Sequence, residues 1–241
     1  TYNFGYAAMF YIYSQNQDSI YNNIFANYST GYALYTIMYT GYGHRMDNNN
    51  LYTNGTTLAY DGAGTWANIN TLRTSFYATG NDNAHRNSIS HEPGINTTTG
   101  VPDPSNANVW SINGRALQTP RIGSDINGTP RFINRADGVS DIGAYEVEPG
   151  VMPPAAIASP AVPAPGITQT YRFGETPVAT VKWNTQLGLT SPLTVRQYSG
   201  EVAPNNFQAV SQNKYPYFYT KFTPAGVGST YDFDFTLNYY D

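Results

Sequence analysis

Carboxylates, histidines and tyrosines are the residues of this chain whose chemistry could serve a functional site. Asp141 and Glu146 lie close together in the sequence, and glycosidases use two facing carboxylates separated by about 5–9 Å. Both residues lie in a stretch rich in Gly and Asp, where an Asp side chain accepts backbone N–H groups at a turn. We therefore predict that they close a turn, and we predict no catalytic residue in the chain. The same structural role is expected for Asp125, Gly128, Gly143 and Tyr145.

A lyase site with bound Ca²⁺ is the first alternative, at Asp82 and Arg86. Such a site needs carboxylates around the ion and a Lys or Arg base beside them, and Ca²⁺ takes about six to eight oxygens. Residues 1–150 contain no Lys, and their Asp residues are scattered singly. We expect an ordinary surface pair here and no cofactor, with Ca²⁺ left open because its ligands can come together from distant segments.

The second group of candidate ligands consists of His85, His91 and Glu92. Zinc usually takes about three or four ligands with close local spacing. The two histidines are separated by five residues, a spacing that matches no zinc motif. We predict that these are polar loop residues before Pro93 and that the chain has no metal site.

Tyrosine is the remaining chemical signal, with 22 residues that crowd especially into positions 1–42. Exposed tyrosines can stack on sugar rings or serve a protein interface, because each joins an apolar body to a polar tip. Their high β propensity offers the alternative that they are half-buried strand residues. Both interpretations stay open. The candidate binding residues are Tyr6, Tyr11, Tyr13, Tyr32 and Tyr35.

The composition argues against several classes of protein. The net charge is −4 and charged residues make up 12% of the chain, so we expect no basic surface for nucleic acid. No apolar run approaches the length of about 18 residues that a membrane-spanning helix needs. Cysteine is absent, which excludes thiol catalysis and cysteine metal sites.

A repeat and a helix are predicted within residues 1–150. The pairs Asn22-Asn23 and Asn48-Asn49 are 26 residues apart, a spacing typical of stacked repeats. Asn tolerates the left-handed corners between short strands, and stacked Asn side chains can bond to their copies. The helix is expected within residues 65–80, because one face would hold Trp66, Ile69, Leu72 and Phe76.

The C-terminal part is divided from the rest by residues 151–166. This segment contains five Pro and five Ala and no charged residue, which predicts an extended, semi-rigid linker. Beyond it, apolar residues alternate with polar ones, as in Phe233, Phe235 and Leu237. Such runs without intervening helices predict an antiparallel β-sandwich over residues 167–241.

One motif resembles a known group of proteins. Asp125–Arg131 reads D-x-x-G-x-P-R and Asp141–Glu146 reads D-I-G-A-Y-E. Together they resemble the C-terminal rung and cap of right-handed parallel β-helix proteins exported by Bacteroidota-type bacteria through the type IX pathway. The resemblance implies an all-β fold in which 1–150 form the last coils and cap of a parallel β-helix, followed by the linker and an Ig-like sandwich.

The resemblance also implies a place and a role outside the cell. We expect a structural or adhesive segment of a large exported surface protein, a rigid stalk whose partners are surface glycans, other surface proteins or the anchoring machinery. The absence of an initiator Met suggests a fragment of a longer protein. One alternative is a support region for a polysaccharide lyase or glycoside hydrolase whose active coils precede Thr1. Another is a carbohydrate-binding module in the sandwich.

Overall fold

The fold of the chain is known from a computed structural model. It describes residues 5–12, 18–38, 45–78, 84–119, 121–134, 137–185, 193–201, 217–225 and 232–238. The N-terminal strands are β1 (Tyr6–Ile12), β2 (Ser19–Tyr21), β3 (Ile24–Asn27), β4 (Tyr32–Met38), β5 (Arg45–Asp47), β6 (Asn50–Thr53), β7 (Ala59–Tyr60) and β8 (Thr65–Trp66). A helix α1 (Ile69–Ala78) and a 3₁₀ helix (Ala107–Ser111) follow. The later strands are β9 (Ile157–Ser159), β10 (Thr168–Phe173), β11 (Thr176–Thr185), β12 (Leu193–Ser199), β13 (Phe218–Pro224) and β14 (Asp232–Leu237).

The first six strands pair in parallel with a constant offset. β1 pairs with β4, β2 with β5, and β3 with β6. Tyr6 lies opposite Tyr32 and Ile24 lies opposite Asn50, so the offset equals the 26 residues between Asn23 and Asn49. The predicted repeat is therefore confirmed as a structural register.

Asparagines form the corners of this register, as the sequence predicts. Asn22 and Asn48 have φ values of 60° and 50°, which is the left-handed region that Asn tolerates. The backbone N–H and the side-chain amide of Asn23 both donate to Asn49 Oδ1, at 2.9 and 3.1 Å. These bonds satisfy polar groups that the corner would otherwise leave unpaired.

The predicted right-handed parallel β-helix is wrong. The described strands form several small sheets, among them two parallel pairs, one mixed sheet and two antiparallel sheets, and no solenoid sheet runs through them. The parallel run from β1 through β4 ends at the two-residue strand β7, which pairs antiparallel with β8. Between 84 and 150 the described chain forms turns, the 3₁₀ helix and isolated bridges. The physical reason is that this stretch is rich in Gly, Pro, Asn and Asp, which bond locally in turns instead of extending a ladder.

Helix α1 confirms the predicted helix but begins later than the apolar pattern suggests. Asn68 caps it, since Asn68 Oδ1 accepts the backbone N–H of Thr71 at 3.0 Å. Ile69 and Leu72 are fully buried, whereas Trp66 precedes the helix in β8. The helical segments that the structure describes are all too short to span a bilayer.

The C-terminal strands pair antiparallel in two separate sheets. One sheet has the order β14-β11-β10-β9, and the other consists of β12 and β13. β9 lies within the Pro/Ala segment and pairs with β10, so part of that segment adds a strand to the sheet. The Phe233 side chain contacts buried Trp183, whereas Phe235 is 56% exposed.

Two hydrophobic cores hold these elements together. The first lies beneath the N-terminal strands and includes Leu34, Met46, Leu51 and Leu72. The second combines residues from both sides of the Pro/Ala segment: Ile89, Val109, Trp110, Ile112 and Ile142 from one side, and Tyr171, Val181, Trp183, Val195 and Tyr198 from the other. Since both sets of side chains leave water together, they stabilise each other.

A close backbone approach joins the two sides of the second core. Gly114 and Gly200 both have positive φ, and a Cβ on Gly114 would lie 2.1 Å from the Gly200 Cα. The Asn113 side-chain amide donates to Ser199 O at 2.5 Å beside this contact. Only glycine fits at position 114, because any side chain would overlap backbone that cannot move independently.

Gly114→Ala is expected to destabilise the fold by more than the cost of its backbone conformation alone. Gly100→Ala is the matched control, because Gly100 also has a positive φ but no atom lies within 4 Å of the place that a Cβ would take there. The control should cost about 1 kcal/mol from left-handed strain, and Gly114→Ala should cost about 2 kcal/mol or more beyond that. Urea denaturation followed by tryptophan fluorescence measures both. Equal costs would contradict the close approach.

Candidate functional site

The outward side of the β1–β4–β7 sheet is the surface that best fits a binding site. Successive strand residues point to opposite sides. Ala8 and Phe10 pack against the first core, so Met9 and Tyr11 project away from it. Met9 lies opposite Tyr35. We call this surface the tyrosine face and count in it the Tyr6 and Tyr32 rings at the strand starts, because both contact Tyr35 although strand alternation alone does not place them there. Its residues are Tyr6, Met9, Tyr11, Tyr32, Tyr35 and Tyr60.

The aromatic rings of the tyrosine face contact one another across the strands. The Tyr35 and Tyr60 rings are stacked with centroids 4.7 Å apart, because these residues are paired across the parallel strands. The Tyr6 ring is tilted against Tyr35 at 5.5 Å, and the Tyr32 ring lies 6.2 Å from Tyr35. Such contacts hold the rings in fixed orientations before any ligand arrives.

The tyrosine face becomes more exposed toward β1. Among the strands that the structure describes, β1 has a single partner, β4. Tyr6, Met9 and Tyr11 are 44%, 48% and 58% exposed. Tyr32, Tyr35 and Tyr60 are half-buried. The sequence leaves two alternatives, half-buried strand tyrosines and an exposed aromatic surface. Both occur in this sheet.

Four of the five predicted binding residues lie on the tyrosine face, namely Tyr6, Tyr11, Tyr32 and Tyr35. The fifth, Tyr13, lies outside the described residues. Sequence reasoning missed Tyr60 and Met9. The signal for Tyr60 is its position 25 residues after Tyr35, close to the repeat length.

The predicted turn and cap residues lie around Asp125, and we call this group the cap: Asp125, Gly128, Asp141, Gly143, Tyr145 and Glu146. All of them except Gly128 are buried or half-buried. One Asp125 oxygen accepts the backbone N–H groups of Asn127 and Thr129, both at 2.8 Å. The other accepts the backbone N–H of Glu146 at 3.0 Å. These hydrogen bonds hold the pKa of Asp125 below its usual range. The bond from the Glu146 N–H contributes most to this lowering. Asp125 thus joins the Gly128 turn, where φ is 86°, to the end of the D-I-G-A-Y-E motif.

Asp141 and Glu146 occupy the centre of this cluster. The Asp141 carboxylate accepts backbone N–H groups from Gly114 and Val147, both at 2.7 Å. Glu146 accepts the Asp141 N–H at 3.2 Å and forms an ion pair with Arg131, whose Nε lies 3.1 Å from Glu146 Oε1. Arg131 also donates to Gly143 O at 2.6 Å.

This geometry fits the predicted turn-closing role of the two carboxylates. Asp141 is only 3% exposed, and backbone N–H groups bond to both of its oxygens. Burial raises the pKa of Asp141 to about 7, and the neighbouring Glu146 charge contributes to this rise. A carboxyl with that pKa could act as a general acid, but no face of this one is open to a substrate.

Gly143 is also fixed by packing. Its φ is 105°, and a Cβ there would lie 2.7 Å from Ile24 Cδ1. The backbone N–H of Gly143 donates to Asn22 O at 2.9 Å. Tyr145 is half-buried in the same segment. The cap therefore contacts the Asn22 corner of the N-terminal strands.

The histidine group has separate structural contacts. His85 is fully buried, and burial followed by the charge of Arg73 lowers its pKa to about 3. The His91 ring stacks on Phe173 at 4.3 Å. Glu92 accepts hydrogen bonds from Tyr28 Oη at 2.7 Å and from the Asn108 side chain at 2.6 Å. The His91 contact joins its loop to the second core, because Phe173 belongs to that core.

Metal and lyase candidates are not brought together in the part of the chain that the structure describes. No three His, Asp or Glu side chains lie close enough there to hold an ion. Asp82 lies outside the described residues, whereas Arg86 is exposed. The predicted surface pair of Asp82 and Arg86, and its alternative of a lyase site with Ca²⁺, are therefore not tested by the described residues.

The buried Asp141 carboxyl is expected to make stability depend on pH. Its folded pKa lies above its ordinary value of 3.8, so its contribution to stability is fully present below about pH 4 and is lost as the pH rises towards 7. Asp141 alone lowers the free energy of unfolding between pH 4 and 7 with a slope of at most about 1.4 kcal/mol per pH unit, whereas buried His85, whose pKa is lowered to about 3, acts in the opposite direction. Urea denaturation should therefore show that the stability of Asp141→Asn, relative to the parent, increases as the pH rises from 4 to 7.

Asp103→Asn is the control for this measurement. The Ser105 hydroxyl and backbone N–H lower the pKa of Asp103, so its contribution is lost only below about pH 4. The control should keep the pH profile of the parent between pH 4 and 7. A stability difference between Asp141→Asn and the parent that stays constant from pH 4 to 7 would contradict the raised pKa of Asp141.

Comparison with known proteins adds no relative. No family model, no curated protein and no solved structure matches this chain.

Proposed function

We propose that this chain is a non-catalytic structural and adhesive segment displayed outside the cell, and that the tyrosine face binds its ligand. The observation that supports this most directly is the exposure of Met9 and Tyr11 on the outward side of one sheet, together with an exposed Tyr6 whose ring contacts Tyr35. Large aromatic and Met side chains are enriched at binding surfaces, whereas an isolated exposed apolar residue needs no such explanation.

The physical properties of the face suit adhesion. A Tyr side chain loses little rotamer freedom on binding and offers both an apolar ring and a hydroxyl group. The contacts of Tyr35 with Tyr6, Tyr32 and Tyr60 already restrain the rings. Pre-organisation of this kind reduces the entropy that a ligand must overcome.

The ligand proposed for the face is a neutral glycan. Neither β1 nor β4 contains a charged residue, so binding depends on ring contacts and hydroxyl hydrogen bonds rather than on ion pairs. Affinity for such a ligand is insensitive to salt. The alternative partner is a surface protein. If the face binds a surface protein, added glycans will not compete with that protein for binding.

The location outside the cell is a separate part of the proposal. Its support is the resemblance of Asp125–Arg131 and Asp141–Glu146 to exported bacterial surface proteins. Protease treatment of intact cells of the source organism tests it, since an exposed chain is degraded without lysis. Protection of the chain until lysis would contradict this location while leaving the binding proposal intact.

The double variant Tyr6→Ala/Tyr11→Ala is expected to weaken glycan binding by about tenfold or more, because two exposed rings of the face are removed. The measurement is a glycan array followed by titration calorimetry with the best neutral glycan. Phe235→Ala is the matched control, since Phe235 is an aromatic residue of similar exposure on the C-terminal sheet. It should bind as the parent does.

Two outcomes would contradict the proposal. Loss of binding in Phe235→Ala but not in the double variant would assign the ligand to the C-terminal sheet. New reducing or unsaturated ends in a polysaccharide incubated with the chain would show an enzyme. Circular dichroism of each variant confirms that a loss of binding is not a loss of folding.

A further inference from the structure

Three Asn-Gly dipeptides occur in the sequence, at Asn54, Asn113 and Asn127. An Asn followed by Gly is prone to deamidation, because a residue without Cβ does not hinder attack on the Asn side chain. The backbone nitrogen of the Gly attacks the Asn Cγ, and the C–N bond of the amide breaks to release ammonia. Water then opens the resulting succinimide to Asp or isoaspartate. No further reagent is needed, so local geometry decides which site reacts.

Asn113 is protected by its surroundings. Its side chain is only 7% exposed, and its amide donates to Ser199 O at 2.5 Å. The attacking nitrogen, that of Gly114, donates its proton to Asp141 at 2.7 Å. The close approach of Gly200 also leaves no room for the rotation that a succinimide requires.

Asn54 is held by hydrogen bonds although it lies nearer the surface. Its amide donates to Tyr28 O at 2.8 Å, and its carbonyl oxygen accepts the Tyr52 hydroxyl. The Gly55 N–H donates to Thr53 Oγ1 at 2.9 Å. Both reacting groups must break these bonds before they can meet. The free energy of this local opening adds to the reaction barrier and slows deamidation.

Asn127 lacks these restraints. Its side chain is exposed and makes no hydrogen bond with any residue that the structure describes. Gly128 has a φ of 86° and nothing within 4 Å of a Cβ placed on it, so the turn has open space on that side. The Gly128 N–H donates to Asp125 O at 3.1 Å, a longer bond than those made by Gly55 and Gly114.

We infer that Asn127 is a site of spontaneous modification in the folded protein, at which its side-chain amide is converted to Asp and isoaspartate. The other two Asn-Gly sites stay intact as long as the chain is folded. This inference is independent of the proposed binding function, because the reaction needs only the turn and water.

The modification would act on the cap through Asp125. Isoaspartate adds a methylene group to the backbone of the turn that Ser124 and Pro130 close. The new carboxylate also lies two residues from the Asp125 carboxylate, which is ionised and bonds to the Asn127 N–H. Both changes weaken the hydrogen bonds of Asp125, including the one from the Glu146 N–H.

The test is a time course of the native chain at mildly alkaline pH, with peptide mapping and enzymatic methylation of isoaspartate as the readouts. Isoaspartate should form at position 127 at least about tenfold faster than at positions 54 and 113, because those two sites need local opening first. In urea, where no fold protects any site, the three rates should converge. Asn127→Gln should abolish the fast product.

The same experiment can overturn the inference. Reaction at 113 or 54 as fast as at 127 in the native chain would show that the geometry gives no selectivity, and so would an intact Asn127. Asn127→Asp supplies the added charge without the extra methylene. A stability loss smaller in this variant than in the aged protein identifies isoaspartate as the disruptive product.

Discussion

The parallel register between β1–β3 and β4–β6 governs where the other parts of this protein are placed. A shift by one residue would exchange the two sides of each strand. Phe10 would then leave the core and Met9 would enter it, so the tyrosine face would not exist. The Asn23–Asn49 hydrogen bonds fix the register at the corners, where side-chain packing alone specifies it weakly.

The same corners connect the N-terminal strands to the cap. The Asn22 side chain bonds to both backbone groups of Leu117, and the Asn48 side chain donates to Arg115 O. Arg115 and Leu117 lie close in sequence to Gly114, which contacts both Asp141 and Gly200. The Asn corners, the cap and the C-terminal sheets thus form one continuous set of contacts. A change in the cap therefore affects the packing of the second core.

Buried charge has a structural role here. Asp125, Asp141 and Glu146 bond to backbone N–H groups of turns that have no ladder to satisfy them. Arg131 pairs with Glu146 inside the cluster. Burial raises the pKa of Asp141 and Glu146, whereas the hydrogen bonds hold that of Asp125 low. Carboxylates that look like a catalytic pair in the sequence therefore replace missing secondary structure, at the cost of desolvation.

Local features of this protein could be predicted from its amino-acid sequence alone: the 26-residue register, the Asn corners and a helix within residues 65–80, which the structure places at Ile69–Ala78. These follow from side-chain periodicity and from residues that favour one backbone conformation. The folded arrangement was needed to show that the strands stop short of a β-helix, that Tyr60 joins the tyrosine face, and that Trp110 and Trp183 share one core. Pairing between distant segments depends on burial and on hydrogen-bond partners that a local pattern does not contain.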